Sequence, residues 1–276
     1  MKKVAIVGLG WLGMPLAMSL TAAGWQVTGT KTTQDGVAAA RMSGIDSYLL
    51  ELTPELICES EDLESLLSHV DALVITLPAS RTASGGESYQ LAVQQLVDSA
   101  LAFSVPRIIF TSSTSVYGDS VGNTKESTPL EPVSVAGRNL QDLESWLHNL
   151  PNTSVDILRL AGLVGPNRHP GRFLAGKTGL ANGSQGVNLV HLEDVIEAIT
   201  LLLQTPKGGH IYNLSAAQHP ARAQFYPQVA RQLGLQPPTF LADDSGNSGK
   251  LIDGSKICRE LGFEYRYPDP NKMPLA

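Results

Sequence analysis

The chain has 276 residues, of which 42% are hydrophobic and 17% charged, a globular composition that excludes a mini-protein or a disordered segment. Its net charge of -6 offers no basic surface for a phosphodiester backbone, so we expect no nucleic-acid partner. Cys58 and Cys258 form no CxxC pair and the six histidines are scattered, which favours a reduced, cytoplasmic protein without a metal site. No apolar run reaches the roughly 18 residues of a membrane span, so no membrane partner is expected.

Strand and helix patterns alternate through the N-terminal part of the chain. Short β-branched runs indicate strands, and the segments between them repeat apolar residues at the spacing of amphipathic helices. The predicted strands are 4–7, 26–30, 47–52, 72–77, 107–111 and 155–160. Two of them, 72–77 and 107–111, are apolar on consecutive residues, which is typical of parallel strands covered on both faces. The pattern predicts an α/β fold, a doubly wound parallel Rossmann sheet over residues 1–166.

The remaining residues, 167–276, predict a small, irregular C-terminal domain on the substrate side. Residues 167–186 are rich in glycine and lack periodicity, which indicates a long functional loop. Residues 187–215 carry strand, helix and strand patterns and are expected to return to the Rossmann sheet. The rest of the chain contains many prolines and glycines and predicts little regular structure.

A glycine-rich turn, Gly8-Leu9-Gly10-Trp11-Leu12-Gly13, directly follows the first predicted strand and opens a helix. Gly8 permits a tight turn, Gly10 lets the backbone approach a pyrophosphate, and Gly13 allows the helix to pack closely on the strand. The helix N-terminus then faces the phosphates. The six residues therefore predict a dinucleotide site. Two lysines precede this segment as in a signal peptide, but the spaced glycines favour a mature N-terminus.

The end of the second strand distinguishes NADP from NAD. An NAD site places Asp or Glu about 20 residues after the turn, where the carboxylate binds the ribose hydroxyls. This chain has Thr30, Lys31 and Thr32 at that point, and an ammonium with two hydroxyls suits a 2'-phosphate better than a diol. We therefore expect NADP, with NAD as the alternative cofactor. The competing interpretation of Lys31 is a solvated surface cation.

A second glycine motif, residues 171–178, fits the P-loop pattern GxxxxGK[ST]. A P-loop follows a buried strand and opens a helix, whereas His169-Pro170 precedes this segment and further glycines follow it. An ATP or GTP site is therefore disfavoured. The cations Arg168, Arg172 and Lys177 are instead candidates to bind an anionic substrate or the phosphates of the cofactor.

Short blocks in a fixed order along nearly the whole chain resemble one protein family. They are Thr111–Gly118, Glu126–Pro129, Arg159–Gly162 with Gly165-Pro166, Val190–Val195, Tyr212–Leu214, Asp253–Lys256 and Leu261–Phe263. The chain resembles the atypical extended short-chain dehydrogenases/reductases, the NAD(P)-dependent epimerase/dehydratase-like group. The resemblance implies a nominal oxidoreductase or epimerase activity on a small-molecule substrate, for which we expect a sugar nucleotide or another anion.

The resemblance also implies cofactor contacts beyond the glycine turn. Glu51, near the end of the third strand, matches acids that meet the adenine, with a surface carboxylate as the equal alternative. Further contacts are implied after the fourth strand and in the turn beside the nicotinamide. These residues are Leu77, Pro78, Ala79, Leu160, Ala161 and Gly162.

In that family the chemistry comes from a Ser or Thr, a Tyr and a Lys, in which the Lys lowers the pKa of the phenol. Ser113 matches the first of these. The Tyr and Lys are expected four residues apart in the helix after Pro132, where this chain has Ala136 and Leu140. No Tyr-x-x-x-Lys occurs anywhere in the sequence. The usual proton-transfer pair is therefore missing.

Three functions are compatible with this pattern. The first is an oxidoreductase with displaced groups, in which Tyr117 is the acid and Arg138 or Lys177 supplies the charge, although a packed structural role for Tyr117 is favoured. The second is a non-catalytic NADP(H)-binding sensor or regulatory module, and the third is an inert scaffold. His191 is a further substrate-site candidate, but a histidine beside acids at a helix start is more often a structural partner. Helices 88–103 and 138–150 are candidate surfaces for a homodimer.

Overall fold

Strands and helices alternate along the chain in the computed structural model, which describes residues 2–52, 56–79, 86–242 and 246–275, with the backbone alone at 86 and 87. The strands are β1 (Lys3–Val7), β2 (Gln26–Lys31), β3 (Asp46–Leu49), β4 (Ala72–Ile75), β5 (Arg107–Ser113), β6 (Gly122–Thr124), β7 (Ser154–Leu160), β8 (Gly162–Val164), β9 (Leu189–His191), β10 (Ile211–Leu214) and β11 (Lys250–Ile252). The helices are α1 (Gly13–Ala22), α2 (Gln34–Met42), α3 (Ser60–Leu67), α4 (Gly86–Ala102), α5 (Val135–His148), α6 (Leu192–Gln204), α7 (Arg222–Gln232) and α8 (Lys256–Leu261).

A seven-stranded sheet has the order β10-β7-β5-β4-β1-β2-β3. The pairs β1–β2, β2–β3, β1–β4 and β4–β5 are all parallel. Read from β3, the order 3-2-1-4-5 is that of a doubly wound sheet, and its direction reverses where β1 meets β4. Such sheets bind ligands outside the carboxyl ends of the strands at that reversal. The predicted α/β Rossmann fold is confirmed.

Two element boundaries differ from the predictions, one because of an isolated β-bridge and the other because of a helix N-cap. The predicted strand 47–52 ends at Leu49, and Glu51 instead forms an isolated antiparallel bridge with Ile57. The predicted helix 138–150 begins earlier, at Val135, because the Ser134 hydroxyl accepts a hydrogen bond from the Gly137 N–H at 3.0 Å. The apolar spacing that predicts this helix starts only at Leu140, more than one turn inside the helix.

The chain divides into two compact units, each built from three segments. The first contains residues 1–116, 132–158 and 199–211, and the second contains residues 117–131, 159–198 and 212–276. The division of the chain at residue 166 into a cofactor domain and a substrate-side domain remains a prediction.

The first unit is held together by a fully buried sheet interior and one buried carboxylate. Every residue of β4 is buried, as the continuous apolar run predicted. Asp156 in β7 has no exposed side-chain surface, and it accepts hydrogen bonds from the guanidinium of Arg107 at 2.7 and 2.9 Å and from the ring of His210 at 2.9 Å. Because both carboxylate oxygens accept hydrogen bonds from side chains, β5, β7 and the segment before β10 are tied together.

Helices α4 and α5, which correspond to the predicted dimer surfaces 88–103 and 138–150, contact each other within the first unit. Leu91 on α4 nevertheless leaves 44% of its surface exposed. The homodimer remains a prediction.

The second unit contains two short parallel pairs, β8–β9 and β6–β11. Its apolar core includes Val164, Leu189, Phe225 and Val229. Residues 167–186 form turns around a short 3-10 segment at Pro170–Arg172, in agreement with the predicted loop. In the part of the chain that the structure describes, no helix combines the length and apolar character needed to cross a membrane.

Candidate functional site

The glycine turn connects β1 to α1 at the reversal of strand order. Gly8 has a φ of 103°, a left-handed conformation that glycine adopts without strain. A Cβ at Gly13 would lie 2.0 Å from the carbonyl oxygen of Gly8, so only glycine permits this approach of helix to strand. The predicted reasons for Gly8 and Gly13 agree with this geometry.

Gly10 differs because its surroundings are open. A Cβ added there would meet no atom of the described residues within 4 Å. The absence of a side chain at Gly10 therefore leaves free space beside the N-terminus of α1, as a ligand cradle requires. No acidic residue lies in the first turn of α1, so the partial positive charge at this helix end is not offset. These residues fit a pyrophosphate.

The end of β2 lies beside the turn, and its three predicted residues differ in exposure. Thr30 is buried, and its hydroxyl accepts a hydrogen bond from the Gly8 N–H at 3.1 Å. Lys31 is half-buried and Thr32 is exposed. Since a Cβ at Gly36 would touch the aliphatic carbons of Lys31 at 3.3 Å, the lysine stem lies along the start of α2. Lys31 and Thr32 are therefore the two residues of this set that reach the surface.

The segment after β4 completes the described part of this site in the first unit. Leu77 packs beside Gly8, and its carbonyl oxygen accepts a hydrogen bond from the buried hydroxyl of Tyr89 at 3.1 Å. Pro78 is exposed and Ala79 half-buried. Glu51 is exposed, which is compatible with either of its two predicted roles.

In the second unit, Leu160 and Ala161 are buried at the end of β7 and Gly162 is exposed at the start of β8. The N–H groups of Ala161 and Gly162 donate hydrogen bonds to the carbonyls of Leu214 and Asn188, both at 3.0 Å. A Cβ at Gly162 would lie 2.8 Å from the side chain of Leu189, which explains the glycine. Two backbone hydrogen bonds therefore hold the turn that the sequence predicts beside the nicotinamide.

Tyr117 is fully buried in the second unit. Its hydroxyl donates a hydrogen bond to Asn213 Oδ1 at 2.6 Å and accepts one from Arg159 Nη1 at 2.8 Å. Burial raises the pKa of the phenol, although the guanidinium of Arg159 acts in the opposite direction. Because the hydroxyl is enclosed and satisfied on both sides, the geometry favours the structural role of Tyr117 over the role of acid.

The helix that should carry the Tyr and Lys is packed tightly at its start. Ala136 is half-buried and Leu140 is buried in the core. A Cβ at Gly137 would lie 3.0 Å from the carbonyl oxygen of Ser115, so α5 approaches the end of β5 closely. Neither Ala136 nor Leu140 carries an ionisable group, and no other residue of the helix takes their place in the Tyr-x-x-x-Lys frame.

The serines at the end of β5 have different environments. Ser113 is half-buried, and its hydroxyl accepts a hydrogen bond from the Ser115 N–H at 3.1 Å. The buried Ser112 donates to Glu144 Oε1 at 2.5 Å, which ties β5 to α5. Ser113 is therefore the less enclosed of the two hydroxyls and the better placed to meet a ligand.

The predicted substrate cations lie on the loop after β8. Arg172 and Lys177 are exposed, whereas Arg168 is half-buried and donates from Nε to the Leu163 carbonyl at 2.9 Å. Turns follow the P-loop-like segment 171–178 where a P-loop would open a helix. Segment 171–178 therefore lacks the helix that a P-loop places after its glycine turn.

His191 is fully buried, and both ring nitrogens are engaged. Nε2 lies 2.8 Å from the Pro274 carbonyl oxygen, and Nδ1 accepts from the Glu193 N–H at 3.2 Å. The ring also contacts Tyr267 edge-on, with 4.4 Å between centroids. This geometry favours the structural alternative for His191.

A polar cavity of about 450 Å³ lies in the second unit among residues 118–121, 182–188 and 247–250. None of the four predicted substrate residues lines it.

Among the residues that the structure describes, no group of three or more His, Cys, Asp or Glu side chains is arranged to hold a metal ion.

Comparison with known proteins identifies the family. The model of the NAD dependent epimerase/dehydratase family matches residues 4–215. The chain belongs to this family. It is 72% identical over 275 residues to Protein YeeZ of Escherichia coli (strain K12), with 100% of both chains covered. It is 26% identical over 221 residues to the uncharacterized UDP-glucose epimerase YtcB of Bacillus subtilis (strain 168), covering 72% of this chain and 66% of that one.

A solved structure also shares the fold of this family member. It is a short-chain dehydrogenase/reductase superfamily protein from Agrobacterium tumefaciens with bound NAD, with a TM-score of 0.75, 19% identity, and coverage of 96% of this chain and 93% of that chain. The resemblance predicted from the sequence is therefore confirmed at the level of family and fold.

Sequence reasoning missed several residues that hold the site of this epimerase/dehydratase family member in place. Thr76 donates a hydrogen bond to the Gly8 carbonyl oxygen at 2.6 Å, Tyr89 holds Leu77, and Arg159 with Asn213 holds Tyr117. A signal existed for two of them. Thr76 is a half-buried polar residue within a predicted strand that is otherwise apolar, and Arg159 is a buried polar residue within a predicted strand. A polar side chain that is enclosed in this way requires a partner.

Proposed function

We propose that this chain binds NADP(H) at the glycine turn. The observation that carries this proposal is the open face at Gly10 beside the N-terminus of α1, in a sheet whose strand order reverses at the same point. Backbone N–H groups and the helix dipole stabilise a pyrophosphate in such a position. Leu77, Pro78 and Ala79, which follow β4 in the same unit, supply further contacts to the cofactor.

The preference for NADP over NAD rests on the end of β2. Lys31 and Thr32 reach the surface there. None of the positions 30, 31 and 32 carries an Asp or Glu that could bind the ribose diol. An ammonium group stabilises a 2'-phosphate by charge and by hydrogen bonding. The 2'-hydroxyl of NAD(H) carries no charge and forms a weaker hydrogen bond with the ammonium group. NADP(H) is therefore the expected cofactor, and NAD(H) is expected to bind more weakly.

The reaction that we propose is a nominal oxidoreduction or epimerisation of an anionic small molecule, such as a sugar nucleotide. A bound nicotinamide cofactor supplies reversible hydride transfer. The support is family membership together with the UDP-glucose epimerase in the name of the relative YtcB. The exposed cations Arg172 and Lys177 are suited to bind a phosphate of the substrate. Ser113 is the hydroxyl that would hold the reacting oxygen.

The proton step of this reaction lacks its usual residues. Ala136 and Leu140 can neither donate a proton nor lower the pKa of a neighbour. Tyr117 is enclosed by Arg159 and Asn213 and cannot approach a ligand without losing both hydrogen bonds. Turnover is therefore expected to be slower than that of an enzyme with the Tyr–Lys pair, by the factor of about 100 to 10,000 that general acid catalysis contributes.

A second candidate function is a sensor or regulatory module that binds NADP(H) without turning it over. The burial of Tyr117 favours it, because that phenol was the substitute acid available to a displaced mechanism. The third alternative, an inert scaffold, predicts no cofactor binding.

The experiment that separates these functions has two stages. Titration with NADPH distinguishes the first two functions from the scaffold, which predicts no binding. Oxidation of NADPH is then followed with a panel of carbonyl compounds and nucleotide sugars. Steady turnover supports the oxidoreductase, and tight binding with no turnover across the panel supports the sensor.

We further propose that the protein acts in the cytoplasm, because its two cysteines are unpaired. We also propose that it forms a homodimer through α4 and α5. Sedimentation velocity tests the dimer.

A further inference from the structure

The backbone N–H and C=O groups of Gly8 are each bonded to a threonine side chain, one in β2 and one directly after β4. In the sheet, β1 lies between β4 and β2. Thr30, in β2, accepts a hydrogen bond on its hydroxyl from the Gly8 N–H at 3.1 Å. Thr76, directly after β4, donates its hydroxyl to the Gly8 carbonyl oxygen at 2.6 Å. Both backbone groups of the first turn glycine are therefore bonded to side chains, one from each side.

Backbone hydrogen bonds support the same two threonines. The Thr76 N–H donates to the Val7 carbonyl and the Leu9 N–H donates to the Thr30 carbonyl, both at 3.0 Å. The Gly8 carbonyl also accepts from the Gly10 N–H at 2.7 Å. Because the Thr76 backbone is bonded to the end of β1 and the Thr30 backbone to Leu9 of the turn, their hydroxyls hold the N–H and C=O groups of Gly8 in one orientation.

The hydroxyl of Thr76 also lies where the strand end and the helix start come together. A Cβ at Gly8 would be 2.9 Å from this oxygen, and a Cβ at Gly13 would be 3.0 Å from it. The oxygen therefore fits between the two glycines. Any rotation about the backbone bonds of Gly8 changes the path of the chain into α1. It therefore also moves the first N–H groups of α1, which have no partner inside the helix.

We propose that Thr30 and Thr76 form a threonine clamp that positions the glycine turn for the pyrophosphate of a dinucleotide. The clamp acts through Gly8 and does not touch the ligand, so both threonines are positioning residues. This inference rests on the proposed cofactor site. It assigns Thr30 to the turn, in place of the direct contact with the 2'-phosphate that the sequence suggested, and it adds Thr76, which no sequence motif identified.

If the clamp positions the turn, removing one of its hydroxyls lowers the affinity for the cofactor. Removing the hydroxyl of a buried threonine elsewhere in the sheet does not. Thr28 provides the matched control, because it is also a buried threonine in β2 and its hydroxyl donates to the Leu66 carbonyl at 3.2 Å, away from the turn. Thr76→Val and Thr28→Val each remove one hydroxyl and preserve the side-chain shape. Thr76→Ser restores the hydroxyl at the clamp.

The test measures NADPH and NADH affinity by calorimetry on the full-length variants, with thermal unfolding as the check on folding. We expect Thr76→Val to weaken both cofactors by the same factor, about tenfold, because the pyrophosphate is common to them. Thr76→Ser should stay within about twofold of the unmodified protein, and Thr28→Val should leave both affinities unchanged. If Thr76→Val loses no more affinity than Thr28→Val, or weakens NADPH alone, the clamp is overturned while the cofactor site stands. If the unmodified protein binds neither cofactor, the proposed function is overturned and the clamp with it.

Discussion

The guanidinium of Arg159 donates a hydrogen bond to the hydroxyl of Tyr117 at 2.8 Å and lies 5.1 Å from the centroid of its ring. Both side chains are buried, so the pair is shielded from solvent. A cation over an aromatic face is stabilising in such an environment. Tyr117 therefore serves as a partner for a buried charge, which is a structural reason to keep this tyrosine in a chain without the Tyr–Lys pair.

Replacement of this tyrosine tests the structural role. We expect Tyr117→Phe to lower the free energy of unfolding by about 1–3 kcal/mol, because Arg159 and Asn213 each lose a buried hydrogen-bond partner. NADPH affinity should not change. Urea denaturation and an NADPH titration measure the two effects. Tyr212→Phe is the control, since the Tyr212 hydroxyl donates to the exposed Glu260 at 2.8 Å and its loss should cost less. Equal stability losses in the two variants, or a loss of cofactor affinity in Tyr117→Phe, would contradict the assignment.

The lysine at the end of β2 provides the test of cofactor preference. We expect Lys31→Met to weaken NADPH by about tenfold or more and to leave NADH unchanged, because only NADPH carries the 2'-phosphate. Lys31→Arg, which keeps a cation and its donors, should retain most of the NADPH affinity. Fluorescence titration of the bound nicotinamide measures both cofactors. If Lys31→Met weakens NADPH and NADH equally, Lys31 does not read the 2'-phosphate.

Two glycines of the same turn should respond to alanine in opposite ways. Gly10→Ala adds a methyl group to open space, so we expect the protein to fold normally and NADPH affinity to fall. Gly13→Ala places a Cβ 2.0 Å from the Gly8 carbonyl oxygen, and we expect a lower melting temperature with or without cofactor. Differential scanning calorimetry and NADPH titration separate the two outcomes. An unchanged NADPH affinity in Gly10→Ala would show that this open face is not where the pyrophosphate binds.

Much of this turn could be predicted from sequence, because the responsible residues are local. The order of strand, glycine turn and helix follows from Val4–Val7, the three glycines and the apolar spacing of α1, and each of these acts over a few positions. Burial of β4 and β5 followed in the same way from their continuous apolar runs.

The partners of buried polar groups could not be predicted, because they are distant in sequence. Thr76 meets Gly8 across 68 positions and Arg159 meets Tyr117 across 42. The sequence predicts that Thr30 faces the cofactor phosphate, yet its hydroxyl accepts a hydrogen bond from the Gly8 N–H, since the orientation of a strand-end side chain depends on the neighbouring strand. The structural role of His191 likewise depends on a distant residue, since the carbonyl oxygen of Pro274 lies 2.8 Å from its Nε2.

The second unit should lose stability on mild acidification because of His219. Burial lowers the pKa of this imidazole, whose Nδ1–H donates to the Val187 carbonyl at 3.1 Å. A lowered folded-state pKa means that the unfolded chain binds the proton more readily. The stabilisation is therefore fully present above the unfolded pKa of about 6.5 and is lost as the pH falls below it.

Unfolding measured between about pH 7.5 and pH 5.5 tests this effect. His219→Gln should flatten the dependence of unfolding free energy on pH. His148→Gln, which removes an exposed histidine at the end of α5, controls for the loss of an imidazole as such. A pH dependence that is as steep in His219→Gln as in the unmodified protein would exclude His219 as its source.

Titration of the unmodified protein with NADPH, NADH and ATP under identical conditions tests the central claim most directly. The account predicts saturable binding of NADPH, binding of NADH that is weaker by about tenfold, and no binding of ATP to the segment 171–178. NADH affinity equal to or greater than that of NADPH would contradict the role of Lys31. Binding of ATP alone would contradict the dinucleotide site itself.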